Sequence, residues 1–207
     1  MTFEDLRPED IEKKSMQIIE SELKAPLDPI LAPIIKRVIH TTADFDYADN
    51  LYFSANAYET AMDVFKSGVT IVTDTNMALA GINKPALAKL GGQAFCYMAD
   101  EDVAKEAAKR GVTRATVSME RAAKLEGNVI LAVGNAPTAL IKADELMKKG
   151  EFRPKLIIGV PVGFVNVVAA KELIIESGCE CIIARGRKGG SNVAAAIINA
   201  LMYILTR

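Results

Sequence analysis

The segment NVILAVGNAPTAL (128–140) decides the fold that this chain is expected to adopt. Its first half is a continuous apolar run of strand length, which predicts a β-strand buried on both faces, and a helical segment follows it. The same alternation recurs along the chain. Further apolar runs lie at 69–74, 93–98, 155–160 and 180–186, and helical segments lie near 75–90, 101–126, 136–149, 164–177 and 189–205. Strand–helix alternation is typical of a parallel sheet covered by helices, so we predict an α/β, doubly wound fold with a mostly parallel sheet.

An N-terminal helical segment is predicted over residues 8–24, before this alternation begins. Proline suits its first turn, and its apolar side chains form one stripe along the helix. The stripe consists of Ile11, Ile18, Ile19 and Leu23. Ser15 falls within this stripe, and a hydroxyl group on a buried face must find a partner. That partner is expected to be a backbone carbonyl or a group that lines a pocket.

The second predicted helix delivers His40, the only histidine of the chain, near its C-terminal end. It is expected to start at 28–29 or at 32–33. Arg37, His40 and Thr41 stand at positions i, i+3 and i+4, so they would share one face. The negative end of the helix dipole favours a protonated imidazole, and a neighbouring cation and hydroxyl suit an acidic substrate. His40 is therefore the candidate general acid, with a capping or packing role as the structural alternative.

Polar and glycine-rich segments follow four of the predicted strands, at the strand ends where doubly wound folds bind ligands. They are residues 74–76, 134–139, 159–166 and 184–192. Glycines let backbone amides approach a ligand, and helix starts offer free N–H groups and a positive dipole end. We therefore predict an anion-binding rim, on which arginine grips carboxylates or phosphates through two parallel hydrogen bonds. The candidate binding residues of this rim are Asn135, Gly163, Arg185, Arg187, Lys188, Gly189 and Ser191.

The rim does not match the known nucleotide-binding motifs. Residues 186–192 read GRKGGSN, in which two glycines separate the lysine from the serine, whereas a P-loop has them adjacent. The segments at 134–139 and 159–164 lack GxGxxG, and no GxSxG elbow is present. A nucleoside triphosphatase and a nicotinamide dehydrogenase are therefore not expected, and a hydrolase has no support. Each loop alone also has a structural explanation, because turns in any α/β protein use glycine.

Length and charge narrow the class of protein further. With 207 residues, half of them apolar, the chain is predicted to be a single globular domain over residues 1–207. Lys and Arg number 25 against 26 Asp and Glu, without a basic block, which argues against nucleic acid as a partner. The polar segment 1–14 does not have the pattern of a secretory signal, and no stretch has the roughly 18 consecutive apolar residues of a membrane span. A cytoplasmic protein without a membrane partner is expected.

The cysteines and the net charge carry two further expectations. Three cysteines without CxxC spacing suggest neither a disulfide framework nor a zinc site, so no metal site is predicted. They are interpreted as small core residues in a reducing compartment. A net charge of −1 on a chain that is half apolar gives little protection against self-association, so a homodimer is expected.

Four separated motifs, in order along the chain, resemble one family, the precorrin-8X methylmutases, which include the cobalt-precorrin-8 methylmutases. The motifs are HTTADFDYA (40–48), GNAPTAL (134–140), GVPVGFVNVV (159–168) and GRKGGSNVAAAIINAL (186–201). The resemblance runs nearly end to end. It implies an isomerase of cobalamin biosynthesis that moves a methyl group from C-11 to C-12 of a tetrapyrrole polycarboxylate, giving hydrogenobyrinate or its cobalt form, cobyrinate. Because the migrating methyl group is already on the ring, the resemblance implies no cofactor and no catalytic metal.

The resemblance also implies roles for individual residues. His40 matches the family's histidine and would be the acid of a 1,5-sigmatropic shift. Ser15 in KSMQII and Arg114 in VTRATV resemble a substrate-contacting serine and an arginine at the ring. Helical spacing, rather than the resemblance, places Arg37 and Thr41 beside His40, where they would contact the substrate or support its binding. The structural alternatives are that Arg114 simply starts a helix and that Arg37 pairs with an acid at 44 or 46. An acidic residue is common in the family where this chain has alanine at position 169.

Two other functions compete with an isomerase. The first is a corrinoid-intermediate binding or carrier protein without turnover, since a fold can be kept while its activity is lost. The second is an unrelated α/β enzyme acting on a phosphorylated sugar or nucleotide, in which the loops at 134–139 and 186–192 would cradle phosphate. The second alternative leaves the position of His40 unexplained.

Overall fold

A six-stranded sheet lies at the centre of the computed structural model, which describes residues 7–207. The strands are β1 (Leu51–Phe53), β2 (Thr70–Thr73), β3 (Gln93–Phe95), β4 (Val129–Val133), β5 (Leu156–Gly159) and β6 (Cys181–Ala184). Their order in the sheet is β1-β6-β5-β4-β2-β3. The edge strand β1 runs antiparallel to β6, and the other neighbouring pairs are parallel. The predicted doubly wound, mostly parallel sheet is confirmed.

Eleven α-helices accompany the sheet within the described residues. They are α1 (Pro8–Glu22), α2 (Ala32–Thr42), α3 (Tyr47–Asn50), α4 (Ala57–Lys66), α5 (Asn76–Gly81), α6 (Lys84–Lys89), α7 (Glu101–Arg110), α8 (Arg114–Ala122), α9 (Pro137–Lys148), α10 (Val167–Glu176) and α11 (Ser191–Thr206). The N-terminal helical segment is present as α1, and the second helix starts at the later of the two predicted positions. His40 lies in the last turn of that helix, as expected.

Strand β4 shows why helices cover both faces of the sheet. All five of its residues are buried. Ile130 and Ala132 point into one core, which they share with α2, α4 and α11, whereas Leu131 and Val133 point into the other, which they share with α8, α9 and α10. Side chains alternate between the faces of a strand, so a continuous apolar run contributes side chains to both cores.

The order of the strands reverses between β2 and β4. From β4 the chain proceeds through β5 to β6 in one direction, whereas β2 and β3 lie on the other side. In open α/β sheets, ligands bind outside the carboxyl ends of the strands at such a reversal. The segments that follow β2 and β4 begin at Asp74 and Gly134, so the crevice expected to bind a ligand lies beside these residues.

Several predicted elements are divided or shortened. The single helix expected over 101–126 is two helices, because Gly111 adopts the left-handed conformation (φ 64°) and ends α7 there. The segment 75–90 likewise forms α5 and α6. The strand expected over 93–98 ends at Phe95, and a short 3-10 helix follows at Tyr97–Ala99.

The predicted burial of the apolar stripe on α1 was wrong for two of its members. Ile19 is buried, with 7% of its side chain exposed, but Ile11 is 51% exposed and Ile18 is 46% exposed. Helix α1 packs mainly on α2, and a helix that contacts one neighbour buries only one edge of its apolar face. These two isoleucines therefore remain on the surface of the chain.

The structure tests the expected absence of a membrane-spanning helix, and it tests only part of the expectation about the N-terminal segment. No helix between residues 7 and 207 has the length and apolar character needed to cross a membrane. The expectation that segment 1–14 is not a secretory signal concerns in part residues 1–6, which lie outside the described residues.

A matched pair of isoleucines tests the assignment of the central strand. Ile130→Ala removes a side chain that is fully buried in β4 and should lower the free energy of unfolding by about 2–5 kcal/mol, because it leaves a cavity in a close-packed core. Ile30→Ala, at a position that is 52% exposed, should change it by less than about 1 kcal/mol. Urea unfolding followed by circular dichroism measures both, and equal losses would contradict the placement of β4.

Candidate active site

The imidazole of His40 stands at the mouth of a cavity between α1 and α2. The backbone of α2 ends at Ala43, which adopts the left-handed conformation (φ 53°) and donates its N–H to the carbonyl of Ile39 at 2.7 Å. The side chain of His40 is exposed, and it lines a cavity of about 250 Å³ together with Ser15. The remaining lining residues are Ile18, Ile19, Glu22, Ile39, Ala43 and Phe45. The structure therefore brings together two residues that are 25 positions apart in the sequence and were predicted separately.

The hydroxyl group of Ser15 bonds to a backbone carbonyl, which was one of the two partners expected for it. Its Oγ donates to the carbonyl oxygen of Ile11 at 2.8 Å, one turn earlier in α1, and the same side chain lines the cavity of His40. The hydroxyl oxygen still has lone pairs that can accept a hydrogen bond from a ligand. Glu22 also lines the cavity, and its position was not anticipated. Its signal in the sequence is the seven-residue spacing from Ser15, which returns to the same face of a helix.

Arg37 and Thr41 do not line the cavity of His40. The guanidinium of Arg37 donates to Glu12 Oε1 on α1 at 2.5 Å and lies 5.4 Å from the centre of the Tyr203 ring. Its partner is thus Glu12 rather than an acid at 44 or 46. Thr41 Oγ1 donates to the carbonyl of Arg37 at 2.9 Å. The guanidinium of Arg37 is therefore held by α1, and a shared face of cation, imidazole and hydroxyl at the substrate stays a prediction.

Lys188 connects the loop after β6 to the segment that follows His40. Its ammonium group lies 2.6 Å from Asp44 Oδ2 and 2.6 Å from Asp46 Oδ2. The hydrogen bond from Lys188 is the largest cause that holds the pKa of Asp44 below its usual value. Two carboxylates thus already engage this cation, and the contact fixes the loop of Lys188 beside the end of α2.

Arg185 and Arg187, in the same loop, are exposed and lie over aromatic rings. The guanidinium of Arg185 is 4.9 Å from the centre of the Tyr52 ring and 3.4 Å from Glu172 Oε2. The guanidinium of Arg187 is 5.5 Å from the centre of the Phe164 ring. Stacking on a ring orients a guanidinium and leaves its edge N–H groups available for a carboxylate.

The glycine loops after β5 and β6 are bonded to each other. The N–H of Gly163 donates to the carbonyl of Arg187 at 3.1 Å, and the N–H of Gly190 donates to the carbonyl of Val160 at 2.8 Å. A Cβ atom at Gly189 would collide with the carbonyl oxygen of Val160. Glycine is therefore needed here so that two loop backbones can touch, and these amides serve that contact rather than an anion.

The carboxylate of Asp74 occupies the helix start that was predicted to bind an anion. Its two oxygens accept the N–H groups of Gly134 at 2.8 Å, Asn135 at 2.8 Å and Ala136 at 2.6 Å. The side chain is fully buried. Burial raises the pKa of Asp74, and the three N–H donors oppose that rise because they stabilise the ionised form. The anion at the start of α9 is thus a residue of the protein itself, and the prediction of free amides at 134–136 was wrong.

A cleft of about 480 Å³ opens at the reversal of strand order, beside Asp74. Arg114 and Asn135, two of the predicted binding residues, line it together. The other lining residues are Asp74, Thr75, Asn76, Met98, Ala99, Thr113, Ala115, Ala136 and Thr138. Arg114 is the first residue of α8, as its structural alternative required, and its guanidinium donates to the carbonyl of Met98 at 3.3 Å. Its exposed position lets it also face the cleft.

Ser191 is buried at the start of α11 and bonds to a residue of this cleft. Its Oγ lies 2.7 Å from Oγ1 of Thr75. Gly134 permits the approach, because a Cβ atom there would lie 2.6 Å from the Cα of Ser191. Ser191 therefore joins α11 to the ends of β2 and β4. Thr75 and Thr138 lie within the predicted segments 74–76 and 134–139, whereas Thr113 was missed, since an isolated threonine carries no signal of its own.

The thiols of Cys179 and Cys181 do not form a second reactive centre. Burial raises the pKa of Cys179 to about 12 and that of Cys181 to about 11, which makes both thiols poor nucleophiles. Among residues 7–207 no group of three His, Cys, Asp or Glu side chains is arranged to hold a metal ion. Ala169, at the position where the resemblance led us to expect an acid, is exposed on α10.

Comparison with known proteins gives one consistent result. The profile of a family described as precorrin-8X methylmutase matches residues 10–204. The chain is 44% identical to the cobalt-precorrin-8 methylmutase of Salmonella typhimurium, over 96% of this chain and 96% of that protein. It is 40% identical to the cobalt-precorrin-8 methylmutase of Priestia megaterium, over 96% and 89% of the two chains. Its structure is similar to that of the precorrin-8X methylmutase of Thermus thermophilus, with a TM-score of 0.86, 34% identity and coverage of 95% and 97%.

The hydrogen bonds of Asp74 lead to a measurable expectation. Asp74→Asn removes the negative charge and places an amide NH₂ against backbone donors, so the free energy of unfolding should fall by about 2–4 kcal/mol. Asp63→Asn, at an exposed position on α4, should change it by less than about 0.5 kcal/mol. Chemical denaturation at pH 7 compares them, and an equal effect of both changes would show that the cap contributes nothing.

Proposed function

The chain belongs to the precorrin-8X methylmutase family, and we propose that His40 is the acid of the methyl shift that it catalyses. The chain is an isomerase of cobalamin biosynthesis that moves a methyl group from C-11 to C-12 of precorrin-8 or its cobalt form. A carrier without turnover is not supported, because the similar proteins that cover nearly the whole chain are methylmutases. A phosphate-binding enzyme of another family is likewise excluded by the family match.

One observation carries the role of His40. The only imidazole of the chain lies at the C-terminal end of α2, in a cavity that it shares with Ser15. A carbon shift around a conjugated ring is thermally allowed, and protonation or hydrogen bonding at a ring nitrogen makes the accepting carbon more electron-poor. A positioned imidazole supplies such a proton near neutral pH. Ser15 would accept a hydrogen bond at the same macrocycle, since its own O–H donates to the carbonyl of Ile11.

The carboxylate arms of the substrate have three candidate partners. Arg185 and Arg187 present exposed guanidinium groups from the loop after β6, and Arg114 faces the cleft at the reversal of strand order. Arginine holds carboxylates through paired hydrogen bonds, which fits a ring with many acetate and propionate arms. The cation of Lys188 is shared with Asp44 and Asp46, so its contribution to binding is weaker than that of the arginines. Asn135 lines the same cleft as Arg114.

We infer further that the protein acts as a cytoplasmic homodimer of single-domain chains. Strands from residues 51–184 enter one sheet, which supports one domain. The three cysteines are free, which fits a reducing compartment. Phe164 is 81% exposed and Val165 is 77% exposed beside the rim, and a second subunit would cover such apolar side chains.

The role of His40 is tested by turnover. The protein and its His40→Ala variant are incubated without oxygen with precorrin-8 and separately with its cobalt form, and the visible spectrum reports the change in conjugation. Wild type should convert at least one form, and the variant should lose at least about tenfold in kcat, the lower part of what general acid catalysis supplies. The matched control is Lys36→Ala, on the same helix, where the side chain pairs with Glu20 away from the cavity.

The possible results separate the proposals. Conversion by His40→Ala at the wild-type rate would remove the histidine from the mechanism while leaving the isomerase in place. Tight binding without conversion by wild type would return the carrier to consideration. A loss that appears equally in Lys36→Ala would indicate damage to α2 rather than to an acid.

Sedimentation equilibrium tests the homodimer. At micromolar concentration the mass should be twice the 22.3 kDa of one chain, because the exposed apolar side chains beside the rim need a cover. A mass of one chain at the highest soluble concentration would contradict the proposal.

A further inference from the structure

Lys171 is a fully buried lysine on α10 that the methyl shift does not use. It is among the largest side chains without solvent exposure in the described residues. Helix α10 packs against α9, β5 and β6, so the side chain runs beneath the loop that leaves β6. A buried ammonium group is rare in proteins and is tolerated only where it is fully hydrogen-bonded. The burial of this ammonium group therefore indicates a structural or functional role.

The partners of Lys171 are two backbone carbonyls of one loop. Its Nζ donates to the carbonyl of Gly186 at 2.8 Å and to the carbonyl of Lys188 at 2.8 Å. The carbonyl between them, that of Arg187, accepts the N–H of Gly163. Three consecutive carbonyls of the loop are thus bound to the body of the protein, and two of the three depend on one side chain.

This arrangement determines where the side chains of the loop point. With the carbonyls of 186–188 held from below, the side chains of Arg187 and Lys188 extend outward, one over Phe164 and the other to Asp44 and Asp46. Burial lowers the pKa of Lys171 to about 8, and the charge of Glu172 opposes this shift. Its hydrogen bonds persist in either protonation state, because a neutral amine still donates two.

We propose that Lys171 is a positioning residue that holds the loop 185–190 from beneath, and thereby sets Arg185 and Arg187 to receive the carboxylate arms of the tetrapyrrole. The inference rests on the proposed function for the link to substrate. The link to loop geometry rests only on the hydrogen bonds of Lys171. The two links are tested by separate measurements.

The decisive variant is Lys171→Met, which keeps the length and volume of the side chain and removes its donors. Ile174→Val is the matched control, because Ile174 is also fully buried on α10 and contacts the core rather than the loop. If Lys171→Met does not fold, Lys171→Gln, which keeps a neutral donor on a shorter chain, replaces it.

The first readout is hydrogen exchange at the N–H groups of Gly163 and Gly190, which tie this loop to the loop after β5. Lys171→Met should speed exchange at both by about tenfold or more, since local opening no longer breaks charge-assisted bonds. Ile174→Val should leave them at the wild-type rate. Unchanged exchange in Lys171→Met would overturn the proposal outright.

The second readout separates KM from kcat with the form of precorrin-8 that wild type converts. Lys171→Met should raise KM by about tenfold with kcat within about threefold of wild type, because loop position affects binding rather than proton transfer. Faster exchange with an unchanged KM would overturn the link to substrate. If wild type converts neither form, the proposed function fails, and the exchange result still decides whether Lys171 holds the loop.

Discussion

The buried carboxylate of Asp74 is the interaction on which the ligand end of the sheet depends. It follows β2 and accepts three consecutive N–H groups from the turn between β4 and α9. Three free donors at a partly buried turn are costly unless they find an acceptor, and a carboxylate with two oxygens supplies enough acceptor positions for all of them. The neighbouring strands that flank the reversal of strand order are thereby joined where they end. Gly134 then lets the start of α11 close against the same point.

The cations that were predicted to bind the substrate are placed by contacts with the protein before any ligand arrives. Arg37 is drawn to Glu12, Lys188 to two aspartates, and Arg185 and Arg187 to aromatic rings. Lys171 holds the backbone of the loop from below. Holding such long side chains in advance reduces the entropy that a ligand must overcome on binding. The rim is therefore better described as a set of oriented arginines than as an open basic surface.

The sequence allowed the fold to be predicted because β4, β5 and β6 are continuous apolar runs, which are typical of strands buried on both faces. The position of His40 at the end of α2 followed from helix signals that act locally. Local patterns could not predict which groups distant in the sequence bond to each other. The spacing placed Arg37 beside His40. In the structure its guanidinium instead bonds to Glu12, which lies 25 residues away in the sequence. The amides at 134–136 looked free because their acceptor, Asp74, lies about 60 residues earlier. The sequence did not indicate that Lys171 is buried, since a single lysine in an apolar helix usually lies on the surface.

The two edges of the sheet are both only three residues long, β1 at one side and β3 at the other. Beyond β1 the chain turns away, and the carboxylate of Glu180 accepts hydrogen bonds from the backbone and side chain of Asn56 at 3.1 Å each. Short edges that end in such turns offer few free N–H and C=O groups to an incoming strand. Edge-to-edge pairing of sheets is thereby disfavoured, both between native copies and in the early steps of aggregation. Association of subunits is then expected to use side chains on the faces of helices and loops. The backbone hydrogen bonds of the sheet would all be formed within one chain.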